Sequence, residues 1–359
     1  MNLYILFSWV IKMLKKQYVF KIVLFIVILV LSGCGQNENA NNQEGISAAE
    51  TANHRMNVES GTKFTEAEKK AEDILYHSED GIDLLRALHR CVSDGENIYL
   101  VYGEPDLYIM PIGTGEHRPA NVNNPEKMDV CNIALDAHGR IHLLVAGQDN
   151  EKWLIWWLDE NYQVDREIDI SAYFETKYMP LWFLVDADGT YYLQWVIDRN
   201  GIIIDNEGAL RNRFTPESLE IEWIYEATVG KDGLIYIVYS HSDEKLEIGK
   251  FNVEKCLIEN ETLALSFPGD EIFNAMAGGT DTNLLLFSPY SGVWAYDKES
   301  GIENLVPLSE IGFGSNTEFY PLTFLTDGRL VLLAGMADGN YMDDESSKDW
   351  LLRYIPIGK

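Results

Sequence analysis

Residues 180–195 read PLWFLVDADGTYYLQW, two short runs rich in aromatic and apolar residues on either side of Asp188-Gly189. Runs of this length and composition are typical of β-strands. An Asp-Gly dipeptide between them is a strong hairpin signal, because a type I′ turn needs positive φ at both central positions. The stretch therefore predicts two antiparallel strands joined by a tight turn.

Turns of this kind recur along the chain about every 45 residues. They are Asp94-Gly95, His138-Gly139, Asp188-Gly189, Asp232-Gly233 and Asp327-Gly328, with GGTDTN at 278–283 in the remaining gap. The segment PLWFLVD at 180–186 is repeated as PLTFLTD at 321–327, with changes only at its third and sixth positions. A second hairpin, such as LIWWLDENYQV at 154–164, separates successive turns, so each period holds four strands.

Four antiparallel strands in a period of about 45 residues are typical of a β-propeller, whose blades bury faces that no single blade can bury alone. We predict an all-β fold in which residues 85–359 form a propeller of about six four-stranded blades. An antiparallel β-sandwich is the alternative. The last blade lacks an outer strand at its C-terminal end, so either an N-terminal segment supplies that strand or the chain is cut short.

The N-terminal region has the order of residues found in an export signal. Basic residues precede the apolar run IVLFIVILVL at 22–31, which is shorter than a membrane-spanning helix requires, and small residues follow it.

Residues 31–34, LSGC, resemble a bacterial lipobox, which implies cleavage before Cys34 and a diacylglycerol on its thiol. An uncleaved N-terminal anchor is the alternative. We expect translation to start at Met13 rather than Met1. A start at Met1 would place the long apolar stretch MNLYILFSWVIK, residues 1–12, ahead of the basic residues of the signal.

Composition divides the rest of the chain. Residues 34–63 are rich in Asn, Glu and Ser and poor in large apolar side chains, which is typical of a flexible tether. The sequence TEAE at 65–68 has the spacing of a capping box and predicts a short helix near 66–77. The predicted order is a lipoprotein signal peptide at 1–33, a tether at 34–63, a short helical lead-in at 64–84 and the propeller at 85–359.

Charge and cysteine content limit the partners. The chain has 28 Lys and Arg against 57 Asp and Glu, a net charge of −29 at pH 7. The negative electrostatic field of such a chain repels nucleic acid and anionic lipid. Acyl chains on Cys34 are therefore the predicted attachment to the membrane. The remaining cysteines, Cys91, Cys131 and Cys256, have no CxxC spacing. We expect buried free thiols, and a bridge between Cys91 and Cys131 stays open.

The lipobox, the Asn-rich tether and the segments DADGTYYLQW, KDGLIYIVY and TDGRLVLLAG resemble the propeller regions of lipoproteins from Gram-positive anaerobic gut bacteria. In some of those proteins the propeller precedes a bilobed solute-binding module that delivers sugars to an ABC permease. The resemblance implies an extracellular location and an ABC permease as a candidate partner. Because this chain ends at YIPIGK, we expect either a stand-alone relative or a fragment.

Motifs for catalysis or metal binding are missing from the sequence. It has no GxSxG, HExxH, P-loop or GxGxxG, and its histidines are scattered, so we predict no metal site and no cofactor. Asp186-Ala-Asp188-Gly189 is interpreted as a hairpin turn, because a calcium loop starting at Asp186 would need Glu where the chain has Ile197. The carboxylate-rich segment at 338–349 is interpreted as a solvated loop rather than a cation site.

Aromatic residues provide the candidate ligand site. We expect most tryptophans of the repeat region to fill the wedges between blades. Tyr178 and Trp182 in YMPLW, and Tyr320 in FYPL, precede innermost strands at the point where the chain enters from one propeller face. These three residues are predicted to line the mouth of that face and to bind ligand.

The leading hypothesis is a non-enzymatic, lipid-anchored β-propeller on the extracellular face of the cell membrane, accessory to nutrient uptake. It would bind a glycan, a peptide or a partner protein. A surface carbohydrate-active enzyme with carboxylates at the propeller axis is one alternative. A truncated solute-binding lipoprotein is another.

Overall fold

The computed structural model describes residues 55–56, 72–77, 90–102, 105–148, 151–174, 178–195, 199–230, 232–241, 246–259, 275–278, 284–297, 301–311, 319–326, 328–335 and 349–357. The predicted signal peptide, Cys34, most of the tether and the acidic residues at 338–348 lie outside these ranges. Within the described ranges, no helix has both the length and the apolar character needed to cross a membrane.

The strands form six antiparallel sheets, each of which is one blade. Two strands precede the first blade, β1 (Arg55–Met56) and β2 (Glu72–His77). Blade 1 contains β3 (Cys91–Ser93), β4 (Asn97–Leu100), β5 (Tyr108–Pro111) and β6 (Arg118–Pro119). Blade 2 contains β7 (Asp129–Leu135), β8 (Ile141–Ala146), β9 (Trp153–Leu158) and β10 (Val164–Asp169). Blade 3 contains β11 (Trp182–Val185), β12 (Tyr191–Gln194), β13 (Gly201–Ile204) and β14 (Leu210–Phe214).

The second half of the ring is built in the same way. Blade 4 contains β15 (Trp223–Val229), β16 (Ile235–Ser240), β17 (Leu246–Asn252) and β18 (Leu257–Glu259). Blade 5 contains β19 (Ala275–Gly278), β20 (Leu284–Ser288), β21 (Gly292–Asp297) and β22 (Gly301–Pro307). Blade 6 contains β23 (Phe319–Phe324), β24 (Arg329–Gly335) and β25 (Asp349–Pro356). Short helical turns at Ser171–Tyr173, Glu217–Leu219 and Leu308–Ile311 follow the outer strands of blades 2, 3 and 5.

The six blades close into a ring. The first strand of each blade contacts the first strand of the next, in the order β3, β7, β11, β15, β19 and β23, and β23 contacts β3. In blades 1 to 5 the strands follow one another outward in chain order, whereas in blade 6 the N-terminal strands β2 and β1 lie outside β25. The structure therefore confirms the predicted propeller of six four-stranded blades and excludes the sandwich.

An N-terminal strand completes the last blade. Strand β2 pairs antiparallel with β25, with Glu72 opposite Tyr354 and His77 opposite Asp349, and β1 pairs with the outer edge of β2. The predicted helix near 66–77 is therefore wrong for residues 72–77. Pairing satisfies the backbone N–H and C=O groups along the edge of β25, which a helix at this place would leave open.

The predicted hairpins form, but the turns among the described residues differ from type I′, because only their glycines have a positive φ. In blade 3, Gly189 N–H donates to the carbonyl oxygen of Asp186, and Gly189 alone of the Asp-Gly pair has a positive φ, 78°. The Asp186 carboxylate accepts from the backbone N–H groups of Asp188 and Thr190 at 2.9 and 2.8 Å. The aspartate ahead of the dipeptide thus fixes a turn in which only glycine needs the left-handed region.

Apolar and aromatic side chains fill the wedges between blades, as predicted for most of the tryptophans. Trp153 and Trp195 belong to the cluster between blades 2 and 3, and Trp156 to the cluster between blades 1 and 2. Cys91, Cys131 and Cys256 are free thiols, so the Cys91–Cys131 bridge is absent from the structure. Only Cys131 is buried, whereas Cys91 and Cys256 are half-buried, so the expectation of buried thiols is wrong for these two. Burial raises the pKa of Cys91 to about 12, and its thiol donates to the Leu322 carbonyl oxygen at 2.6 Å.

Candidate functional site

The strand registers define one end of the propeller as an entrance face. Strand β11 begins at Trp182, which lies opposite Gln194 at the end of β12, and Gln194 lies opposite Gly201 at the start of β13. The segment that leads into an innermost strand and the turn between the second and third strands therefore lie at the same end of each blade. We call this end the entrance face, and the Asp-Gly turns lie at the opposite end.

The three predicted ligand residues have different environments. Tyr178 is 47% exposed, whereas Trp182 is only 8% exposed and packs in the cluster between blades 3 and 4. Tyr320 is half-buried against the cluster between blades 6 and 1. Tyr178 is thus directly accessible, Trp182 is a core residue of the blade interface, and a ligand role for all three stays a prediction.

Trp182 contacts a buried acid that the sequence interpretation missed. Its indole N–H donates to Oε2 of Glu226 on β15 at 3.4 Å, and Glu226 is 4% exposed. Burial raises the pKa of Glu226 to about 8, although the indole N–H favours the charged form. At pH 7 most Glu226 side chains are therefore neutral carboxylic acids. An acidic residue in the middle of the apolar run WIYEATV was the sequence signal that could have identified it.

Residues at the two ends of the β12–β13 connection contact the entrances of blades 3 and 4. Trp195 follows β12, and its indole N–H donates to the Tyr178 carbonyl oxygen at 2.8 Å. At the other end of the turn, Arg199 donates to the Glu222 carbonyl oxygen at 2.8 Å, and its guanidinium lies over the Trp223 ring. Trp195 thus holds the backbone at Tyr178, and Arg199 holds the segment at Trp223.

Further aromatic residues lie on this face in blades 4 and 5. Trp223 and Tyr225 are half-buried with ring centres 6.2 Å apart, and an irregularity of β15 between Ile224 and Glu226 takes Tyr225 out of the regular pairing. Tyr290 lies in the turn between β20 and β21 and is 47% exposed. We call Tyr178, Trp223, Tyr225 and Tyr290 the aromatic strip. The sequence interpretation identified only its first member.

A second polar cluster lies between blades 2 and 3, toward the opposite end. His142 lies between Asp136 and Tyr191, with Nε2 3.2 Å from Asp136 Oδ2 and Nδ1 2.9 Å from the Tyr191 hydroxyl. Trp157 donates its indole N–H to the same hydroxyl. Because His142 and Tyr191 are 1% and 0% exposed, no substrate can reach them, and the cluster joins the two blades structurally.

Metal-ligating side chains do not cluster in the described part of the chain. No group of three or more His, Cys, Asp or Glu residues there has the geometry to hold an ion. Asp186, which the sequence interpretation weighed as a calcium ligand, is 5% exposed and accepts hydrogen bonds from its own turn. Its role as a turn residue is confirmed.

No family model and no curated protein matches the chain. Similar solved structures include virginiamycin B lyase from Staphylococcus aureus, at 9% identity and a TM-score of 0.45, covering 80% of this chain and 99% of that one. A gluconolactonase from Xanthomonas campestris matches at 11% identity and a TM-score of 0.45, covering 80% and 90%. An oligogalacturonate lyase in complex with manganese matches at 12% identity and a TM-score of 0.43, covering 74% and 76%. Matches at this level assign no ligand or activity to this chain.

Proposed function

We propose that this protein is a cell-surface lipoprotein whose propeller binds a neutral glycan along the aromatic strip. The observation that carries the proposal is the exposure of Tyr178 and Tyr290 on the same face as the half-buried Trp223 and Tyr225. Large apolar side chains that share one face of a protein are characteristic of interaction sites. Aromatic rings offer flat apolar faces with a polar edge, which match the C–H faces and hydroxyl groups of sugars.

Charge favours a neutral ligand over an acidic one. The chain has a net charge of −29, and Glu220 and Glu222 are exposed beside Trp223 on the entrance face. These carboxylates repel anions but accept hydrogen bonds from sugar hydroxyls. Arg199, stacked on Trp223, supplies donors beside them.

Binding to a glycan array tests this proposal. The full-length protein in detergent should bind at least one class of neutral glycan, and Y178A and W223A should each weaken that binding about tenfold, the loss expected for one stacking residue. L257A is the matched control, because Leu257 is an exposed apolar residue on an outer strand distant from this face. Equal binding by all three variants, or binding only to peptides and proteins, would contradict the proposal.

The lipid anchor is part of the same proposal. It is supported by the lipobox-like LSGC at 31–34 and the apolar run before it. Acyl chains on Cys34 would place the propeller on the extracellular face of the cell membrane, where an ABC permease is the proposed partner. A flexible tether of about 30 residues has a typical reach of roughly 30 Å.

Substitution of Cys34 by serine tests the anchor. C34S should lose incorporation of a labelled fatty acid and move from the membrane fraction to the culture medium, because one uncleaved apolar run of this length anchors a protein weakly. Retention of C34S in the membrane fraction, with an uncleaved N-terminus by mass spectrometry, would instead support the N-terminal anchor.

A further inference from the structure

A row of side chains crosses blade 2 on the side that faces blade 3. Strand pairing places His142 opposite Trp157, and Trp157 opposite Arg166 on the outer strand. Blade 3 contributes Tyr191, which binds both His142 and Trp157. The row thus runs from a buried histidine to an arginine at the rim of the propeller.

Hydrogen-bond chemistry fixes the direction of this network. An indole N–H can only donate, so the Tyr191 oxygen accepts from Trp157 and its proton is available for His142 Nδ1. The Asp136 carboxylate can only accept, so His142 Nε2 carries a proton and donates to it at 3.2 Å, and burial lowers the pKa of His142, which leaves Nδ1 unprotonated to accept from Tyr191. Each member is fixed by its neighbours, and the Trp157 ring is consequently a rigid platform.

Two guanidinium groups lie on this platform. Arg166 is 4.5 Å and Arg140 5.1 Å from the centre of the Trp157 ring. Arg166 pairs with Glu207 of blade 3 at 3.0 Å, and the Glu207 side chain is 75% exposed. Arg140 is exposed and has no carboxylate within ion-pair distance among the described residues. Asp136, the acid nearest to Arg140 in sequence, accepts from His142 and from its own turn.

This arrangement is unusual in a protein with twice as many acidic as basic residues. A guanidinium stacked on an aromatic ring keeps the N–H groups at its edge free for bonds in its own plane. Two such edges beside one ring match the paired oxygens of a carboxylate, sulfate or phosphate group. Glu207, exposed and held by one hydrogen bond, already places a carboxylate on one of them.

We propose that Arg140, Arg166 and the Trp157 ring form a binding site for a compact oxyanion group, which displaces Glu207 from Arg166. We call it the blade 2–3 anion site. It lies toward the opposite end of the propeller from the aromatic strip, so it is a second site and does not depend on the proposed glycan function. Its ligand is a small anion or an anionic substituent on a larger molecule.

Calorimetric titration of the full-length protein tests the site. The probes are inorganic phosphate, inorganic sulfate and glucuronate, with glucose as the uncharged comparison. Phosphate and sulfate binding without glucuronate binding would assign a free inorganic ion, whereas glucuronate binding would assign a carboxylate-bearing ligand. Glucose should give no signal in the absence of the anions.

Three variants separate this site from general charge effects. R140Q should weaken anion binding at least tenfold, because it removes the guanidinium that has no carboxylate partner among the described residues. E207Q should strengthen binding a few-fold, because it removes the competing carboxylate. R118Q is the matched control, since Arg118 is exposed on blade 1 and its loss changes the net charge equally. It should bind like wild type.

The signs of these changes make the test decisive. A purely structural role for Arg140 would lower the Tm without changing anion affinity, and an effect of net charge alone would appear equally in R118Q. The proposal is overturned if R140Q and R118Q bind alike, if E207Q weakens binding, or if wild type binds none of the three anions at about 10 mM.

Discussion

Replacing Glu226 by glutamine is expected to stabilise the protein above about pH 8 and to flatten the dependence of its stability on pH. The carboxyl group has a pKa of 4.5 when exposed and about 8 in the folded protein, mainly because of its burial. A group whose pKa is raised by folding contributes its full stability below pH 4.5 and loses it as the pH rises toward 8. Since one pKa unit corresponds to 1.36 kcal/mol, wild type should lose about 5 kcal/mol across this range from Glu226 alone.

Chemical denaturation of wild type and E226Q from pH 5 to 9 measures this effect, because their difference isolates Glu226 from all other titrating groups. E167Q is the matched control. Glu167 also accepts from an indole N–H, that of Trp156 at 2.9 Å, but lies exposed on the outer strand β10. Parallel curves for wild type and E226Q would show that Glu226 is charged or solvated in the folded protein.

Replacing Ile74 by proline is expected to destabilise the whole propeller by about 2–4 kcal/mol. Ile74 lies in β2 between β1 and β25, opposite Arg55 and Leu352. Proline has no backbone N–H and does not fit between two paired strands, so it should detach the strand that completes blade 6. In a domain of this size the Tm should fall by about 5–10 °C.

The control is E160P. Glu160 is the second residue of the turn in which Tyr162 N–H donates to the Asp159 carbonyl oxygen, a position that favours proline. Its Tm should remain within about 2 °C of wild type. If I74P and E160P melt together, β2 does not contribute to closure of the ring.

Much of the fold could be predicted because its signals are local. The turns at Asp188-Gly189 and its counterparts depend on residues a few positions apart, and together they give the number of blades. Strand β2 could not be predicted in this way, since residues 65–77 have helix-start spacing and the edge of β25 that they pair with lies almost 280 residues away. Tertiary pairing here outweighs local preference.

The candidate sites were predictable only in part. Tyr178 is exposed on the expected face, but Trp182, four residues later, turns into the wedge toward Glu226. Position in sequence indicated the correct face for both and could not decide which side chain faces solvent. The cluster around Trp157 could not be predicted from the sequence. Its residues become neighbours only through the strand registers of blade 2 and through contact with blade 3.

Amide hydrogen exchange, measured with and without a neutral glycan selected on the array, locates the ligand on the propeller. It therefore tests whether the glycan binds along the aromatic strip. We expect slower exchange at 178–182, 199–201 and 220–225, and no change in the turns at 186–190 and 205–209 at the opposite end. Protection at those opposite turns, or unchanged exchange throughout the entrance face while the glycan is bound, would contradict it.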